Sequence, residues 1–113
     1  MRSYLGQQQD PMLKFVENEI LVLPLEEMQL EEVKIYIFYF SMMHCPPCRE
    51  FTPLLSQLYN AQITKHWEVI FFSCDLKQDN FDAYLQKMPW FAMPFRDKRL
   101  RSVALEFGVK EVP

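Results

Sequence analysis

The stretch Ser41 to Pro53, SMMHCPPCREFTP, decides how the chain folds, because its Cys-x-x-Cys stands where the periodicity of the sequence changes. Upstream, Val33 to Phe40 (VKIYIFYF) is apolar at nearly every position and rich in branched and aromatic residues, which predicts a strand covered on both faces within a helix-flanked sheet. Downstream, Phe51, Leu54, Leu55, Leu58, Tyr59 and Ile63 recur at helical spacing and predict one long amphipathic helix with a single apolar stripe. Pro46 and Pro47 suit its first turn, where a missing amide hydrogen costs little, whereas Pro53 lies inside and should kink it.

The position of the cysteines says more than their spacing. At a helix N-terminus the unpaired amides and the helix dipole favour an anion, so Cys45 is expected to populate its thiolate near neutral pH and to be the nucleophile. Cys48, one helical turn on, is placed to attack a mixed disulfide at Cys45 and release the reduced substrate. The two prolines between them stiffen that turn and withhold donors, which helps to set the redox poise. Two other readings use the same residues. Cys45, Cys48, Cys74 and His44 make a four-ligand set for zinc, although structural zinc sites usually pair two such knuckles and this chain has one. The other reading is a pair of inert buried thiols.

Working outward, Glu19 to Leu23 predicts a strand stopped by Pro24, and Trp67 to Cys74 (WEVIFFSC) a second buried strand. Asp79 is placed to cap a helix carrying Phe81, Tyr84, Leu85 and Met88. Asp97 is placed to cap another with Leu100, Val103, Ala104 and Phe107, ended by Gly108. This alternation argues for an α/β layered sheet with parallel crossovers. With 113 residues, half of them apolar, the chain can build one packed core. Residues 1–13, with Gln7 to Gln9, are expected to be a loose leader, and 14–113 the domain.

A net charge of −3, with no basic run interleaved with aromatics, argues against nucleic acid. The longest apolar stretch, Ile35 to Met43, falls far short of the roughly 20 residues that span a bilayer, so no membrane association is expected. The polar start MRSYLGQQQDP lacks the apolar stretch of a secretory signal, and the expectation is a cytoplasmic protein. In such a reducing compartment a close pair of cysteines reads as redox-active or metal-binding rather than as a permanent staple.

HCPPCREFTPLL, followed by WEVIFFSCD, NFDAYLQKMPWFAMPF and FGVKEVP, resembles the tryparedoxin and nucleoredoxin branch of the thioredoxin superfamily from about Lys14 to the last residue. The resemblance implies a thioredoxin-like three-layer fold, a central mixed sheet flanked by helices, here without the two strands and the helix with which the family continues after Pro113. It implies a dithiol oxidoreductase with Cys45 and Cys48 as the active pair, set in a motif with His44, Pro46, Pro47 and Arg49. No cofactor beyond the redox-active disulfide is implied, and no metal. A small dithiol such as trypanothione, or a reductase, would be the electron donor, and protein disulfides such as those of peroxidases the acceptors. Val112-Pro113 falls where the family has its cis-proline. With Trp90, read as core or as the rim of the docking surface, these two are the candidate substrate-binding residues.

Three departures from the pattern bear on function. His44 replaces the family's Trp before the first cysteine; protonated, it would favour the Cys45 thiolate, and neutral, it offers less flat surface to a partner. Cys74 replaces a Trp before Asp75 and is read as a small buried hydrophobe, while Asp75 is a candidate for proton transfer to or from Cys48. Ending at Pro113 would leave one edge of the strand Val33 to Phe40 open, which invites pairing with another chain and oligomer formation. A thioredoxin-like binding module with weak redox activity is the alternative function.

Overall fold

The computed structural model describes residues 5–28, 33, 35–62 and 66–108. In chain order these form β1 (Pro11–Val16), β2 (Glu19–Pro24), a 3-10 turn (Leu25–Met28), β3 (Ile35–Ser41), α1 (Pro46–Asn60), β4 (Trp67–Ser73), α2 (Gln78–Leu85), β5 (Phe91–Ala92) and α3 (Lys98–Phe107). The five strands make one mixed sheet in the order β2-β1-β5-β4-β3. β3 and β4 run parallel from Ile35 opposite Trp67 to Ser41 opposite Ser73, and β4 is parallel to β5. Parallel neighbours need a crossover, and α1 and α2 supply the two that the sheet requires. β1 is antiparallel to both of its neighbours.

β4 explains the layering. Its residues Val69, Ile70, Phe71 and Phe72 are all buried, because successive side chains point to opposite faces and both faces are covered. Val69 and Phe71 meet Leu55 and Tyr59 of α1 and Phe81, Tyr84 and Leu85 of α2. Ile70 and Phe72 meet Val103 of α3, Leu25 and Met28 of the 3-10 turn, and Leu5. The result is the thioredoxin-like arrangement of helices on both sides of a mixed sheet. β3 is one of the two edge strands of the described sheet, with β2 at the other side, and Val112 and Pro113 lie outside the described residues.

The chain start differs from expectation. β1 begins at Pro11 and Leu5 is fully buried, so the stretch expected to be loose through residue 13 contributes a strand and a core side chain. Arg99 of α3 holds it: the guanidinium donates to the Leu5 carbonyl at 2.6 Å and to that of Pro11, while paired with Asp97 at 2.8 Å. β1 turns into β2 through Glu17 and Asn18, both at positive φ (49° and 68°), as a two-residue hairpin of the I′ kind demands. The sequence advertises that turn weakly, since Asn tolerates the left-handed region and Glu does not favour it.

Helix ends follow their chemistry in part. The Asp97 side chain accepts the Arg99 N–H at 2.9 Å, and Gly108 closes α3 in the left-handed conformation with its N–H on the Ala104 carbonyl. In α2 the cap position is Lys77, and Asp79 sits within the first turn, where its charge complements the helix dipole instead. α1 corrects the expected stripe. It buries Cys48, Thr52, Leu55 and Tyr59, whereas Phe51, Leu54 and Leu58 are 44%, 59% and 64% exposed. A row that includes a threonine wins because tyrosine hydroxyls wait beneath it. Ile63 lies outside the described residues.

Candidate active site

β3 stops at Ser41 and hands the chain through Met43 and His44 to α1. Cys45 is the N-cap residue, with extended backbone (φ −121°, ψ 104°), and its carbonyl accepts the Arg49 N–H at 2.9 Å to open the helix. Cys45 and Cys48 are joined as a disulfide, their Cα atoms 5.2 Å apart, inside the roughly 4.4–6.8 Å that a disulfide bridges. Cys48 is fully buried and Cys45 keeps 8% of its surface, so Cys45 is the less buried of the pair. His44, Pro46, Pro47 and Arg49 form an exposed rim around it. Because Pro46 and Pro47 lack N–H groups, Cys48 alone among the first three helical residues brings a backbone donor to this helix end.

Asp75 stands behind the loop. It is buried, its carboxylate accepts the Met43 N–H at 3.0 and 3.2 Å and the Ser73 hydroxyl at 3.3 Å, and its own N–H donates to Ser73 Oγ at 3.0 Å. It therefore ties the end of β4 to the loop that carries Cys45. Cys74 is half-buried against the α3 side of the core, and its N–H donates to the Ser41 carbonyl at 2.8 Å. Burial first, and the neighbouring Asp75 charge second, push its thiol pKa up, which keeps it protonated and a poor nucleophile. Among the described residues no three His, Cys, Asp or Glu side chains gather as a metal site, so His44, Cys45, Cys48 and Cys74 do not assemble the zinc set.

Trp90 lies in the core. It is fully buried, edge-on to Tyr39 and Tyr59 with centroids 6.1 and 5.5 Å away, because the two-residue strand β5 starts immediately after it and draws it under α1. The sequence reading also missed a set of hydroxyls below Cys48, on Tyr39, Ser41, Thr52 and Tyr84. Its signal was present: Tyr39 and Ser41 share one face of β3, and Thr52 lies one turn after Cys48. Beside the cysteines, a groove of about 700 Å³ opens between α1 and α2, lined by Pro46, Arg49, Pro53 and Lys87 among others.

With this geometry in view, residues 32–113 match the family model described as thioredoxin-like. The chain belongs to the thioredoxin-like family. Its relatives include tryparedoxins and nucleoredoxins. It is 35% identical to tryparedoxin II of Crithidia fasciculata, with a TM-score of 0.79 over 99% of this chain and 74% of that one. It is 40% identical over 82 residues to the tryparedoxin of Trypanosoma brucei brucei, covering 71% of this chain and 57% of the relative. It is 44% identical over 82 residues to probable nucleoredoxin 1 of Arabidopsis thaliana, again 71% of this chain but 14% of the relative. The chain thus spans little more than half of the one curated relative and a small part of the other. Thioredoxin-family relatives are thiol–disulfide oxidoreductases, and the adjacent Cys45–Cys48 pair of this thioredoxin-like chain supports a redox role.

Proposed function

We propose that this thioredoxin-like chain reduces disulfides in partner proteins through Cys45 and Cys48. The observation that carries the reading is the bridged pair at the opening of α1, with Cys45 the less buried of the two. In the reduced chain the Cys45 thiolate attacks one sulfur of the partner disulfide, forming a mixed disulfide and expelling the partner's other sulfur as a thiolate. Cys48 then loses its proton and attacks Cys45 Sγ, forming the Cys45–Cys48 bond and releasing the partner's second thiolate. Two electrons pass from the chain to the partner, and a donor dithiol reverses the sequence at Cys45. Asp75, buried behind the loop, is the carboxylate proposed to assist the proton loss from Cys48.

A small dithiol of the trypanothione kind is the proposed donor and a peroxidase disulfide the proposed acceptor. One similar structure, at 32% identity, is tryparedoxin II complexed with glutathionylspermidine, which supports a thiol conjugate as a ligand class. A reducing compartment such as the cytoplasm suits a pair that must be returned to the dithiol. The test is turnover of a model protein disulfide by the parent, Cys45→Ser and Cys48→Ser. Turnover in the parent and none in either variant supports the proposal. An inactive parent that still binds partner protein would replace it with the binding-module reading.

A further inference from the structure

Beneath the disulfide lies a buried set of hydroxyls that joins three elements. Tyr84 OH of α2 is 2.7 Å from Ser41 Oγ of β3 and 2.7 Å from Thr52 Oγ1 of α1. Thr52 Oγ1 is also 2.7 Å from Tyr39 OH and 2.9 Å from the Cys48 carbonyl, to which it donates. All four hydroxyl-bearing residues are buried. With Thr52 as the nearer of the two hydroxyl donors to the Cys48 carbonyl, the other directions follow by counting. A carbonyl can only accept, so the single Thr52 proton goes to Cys48, and both Thr52 lone pairs are left to receive protons from Tyr84 and Tyr39. Tyr84, having given its proton to Thr52, accepts from Ser41. Tyr39, at 3.3 Å from the same carbonyl, is engaged chiefly with Thr52.

Burial pushes the Tyr84 phenol up to about 12, with Tyr39 adding to the rise and the Ser41 and Thr52 hydrogen bonds opposing it, so Tyr84 remains a donor at neutral pH. A buried network of this kind, with its hydroxyls satisfied, is rigid. Its terminus is the backbone of the sulfur that must complete the exchange.

Resting on the dithiol reading above, we propose that Tyr84 is a positioning residue for Cys48: through Thr52 it fixes the Cys48 carbonyl, and with it the line along which Cys48 Sγ attacks Cys45 Sγ. Cys45 is the cap residue outside this chain, so its own reaction with a partner does not depend on the hydroxyls.

The two steps can be timed separately with an aromatic disulfide such as dithiobis-nitrobenzoate on the reduced protein, in a Cys74→Ala background. Attack by Cys45 releases the first coloured thiolate, and attack by Cys48 on the mixed disulfide releases the second. Tyr84→Phe and Thr52→Val are expected to slow the second phase about tenfold while leaving the first within about twofold. Displacing a reacting group by an ångström can cost on the order of 100-fold, and a lost hydroxyl shifts it by less. Thr52→Ser, which keeps the hydroxyl, should restore the parent split. Equal slowing of both phases, or an unchanged second phase with a lowered melting temperature, would overturn the positioning role alone. A parent that shows neither phase would overturn the dithiol reading, and this assignment with it.

Discussion

Replacing Arg99 should loosen the start of the chain by an amount that the structure bounds. The side chain is buried and donates to the carbonyls of Leu5 and Pro11 as well as to the Asp97 carboxylate. Arg99→Met retains most of the apolar stem and removes every donor, which separates packing from hydrogen bonding. Two carbonyls then lack a partner, at about 1–3 kcal/mol each if they stay out of water. Asp97 is less enclosed and can turn to solvent, so its loss counts for little. The protein can avoid the full cost by peeling residues 5–10 from α3, which exposes Leu5 at a cost of roughly 1.5–3 kcal/mol. The cheaper route sets the limit, so the expected loss is about 1.5–3 kcal/mol, a large share of the roughly 5–15 kcal/mol of a typical domain. Arg99→Lys, whose ammonium cannot reach both carbonyls and the carboxylate in one fork, should lose about half as much. Urea unfolding measures the loss, and limited proteolysis near Gln7 to Gln9 reports the peeling. A midpoint shift worth less than about 0.5 kcal/mol for Arg99→Met, the usual range for an inconsequential surface change, would refute the clamp.

Three further outcomes follow from the same contacts. For Asp97, burial alone would raise the carboxyl, but the hydrogen bonds and charge of Arg99 outweigh it and hold the pKa below the usual range. The stability it contributes is therefore present above the ordinary Asp value of about 4 and is lost as pH falls through the lower native value. The advantage of the parent over Asp97→Asn should be level from neutrality down to about pH 4 and shrink below it, and an advantage that grows with acid would contradict this. Asp75→Ala strands the Met43 N–H and the Ser73 hydroxyl, and should cost about 1–3 kcal/mol in urea unfolding, with Asp75→Asn milder; equal losses would argue against the loop tie. Cys74, its thiol pKa raised by burial and by Asp75, should be alkylated in the reduced protein only as pH turns alkaline, and Cys74→Ala should leave turnover intact; rapid labelling at neutral pH would count against it.

The placement of the cysteine pair was readable because it is written in adjacent residues. The strand, the cysteines and the opening of α1 follow from a change of period within Ser41 to Pro53, and the Asp97 cap and Gly108 stop follow from their own side chain and backbone freedom. What escaped reading depends on partners far away in sequence. β1 has six residues and looks like the end of a polar leader until Arg99, more than eighty residues later, supplies its anchors. The buried row of α1 includes Thr52, which counts as polar until Tyr39 and Tyr84 satisfy its hydroxyl, so the more apolar row through Phe51, Leu54 and Leu58 looked the better candidate. Trp90 could serve either a surface or a core, and only the position of β5 decides.

The proposed exchange requires that Cys45, and not Cys48, meets the partner. Cys48→Ser, reduced and mixed with a disulfide-bonded protein, should accumulate a covalent complex, and peptide mapping by mass spectrometry should place the new bond on Cys45. A bond mapped to Cys74, or no complex at all while the parent still turns over, would contradict the assignment.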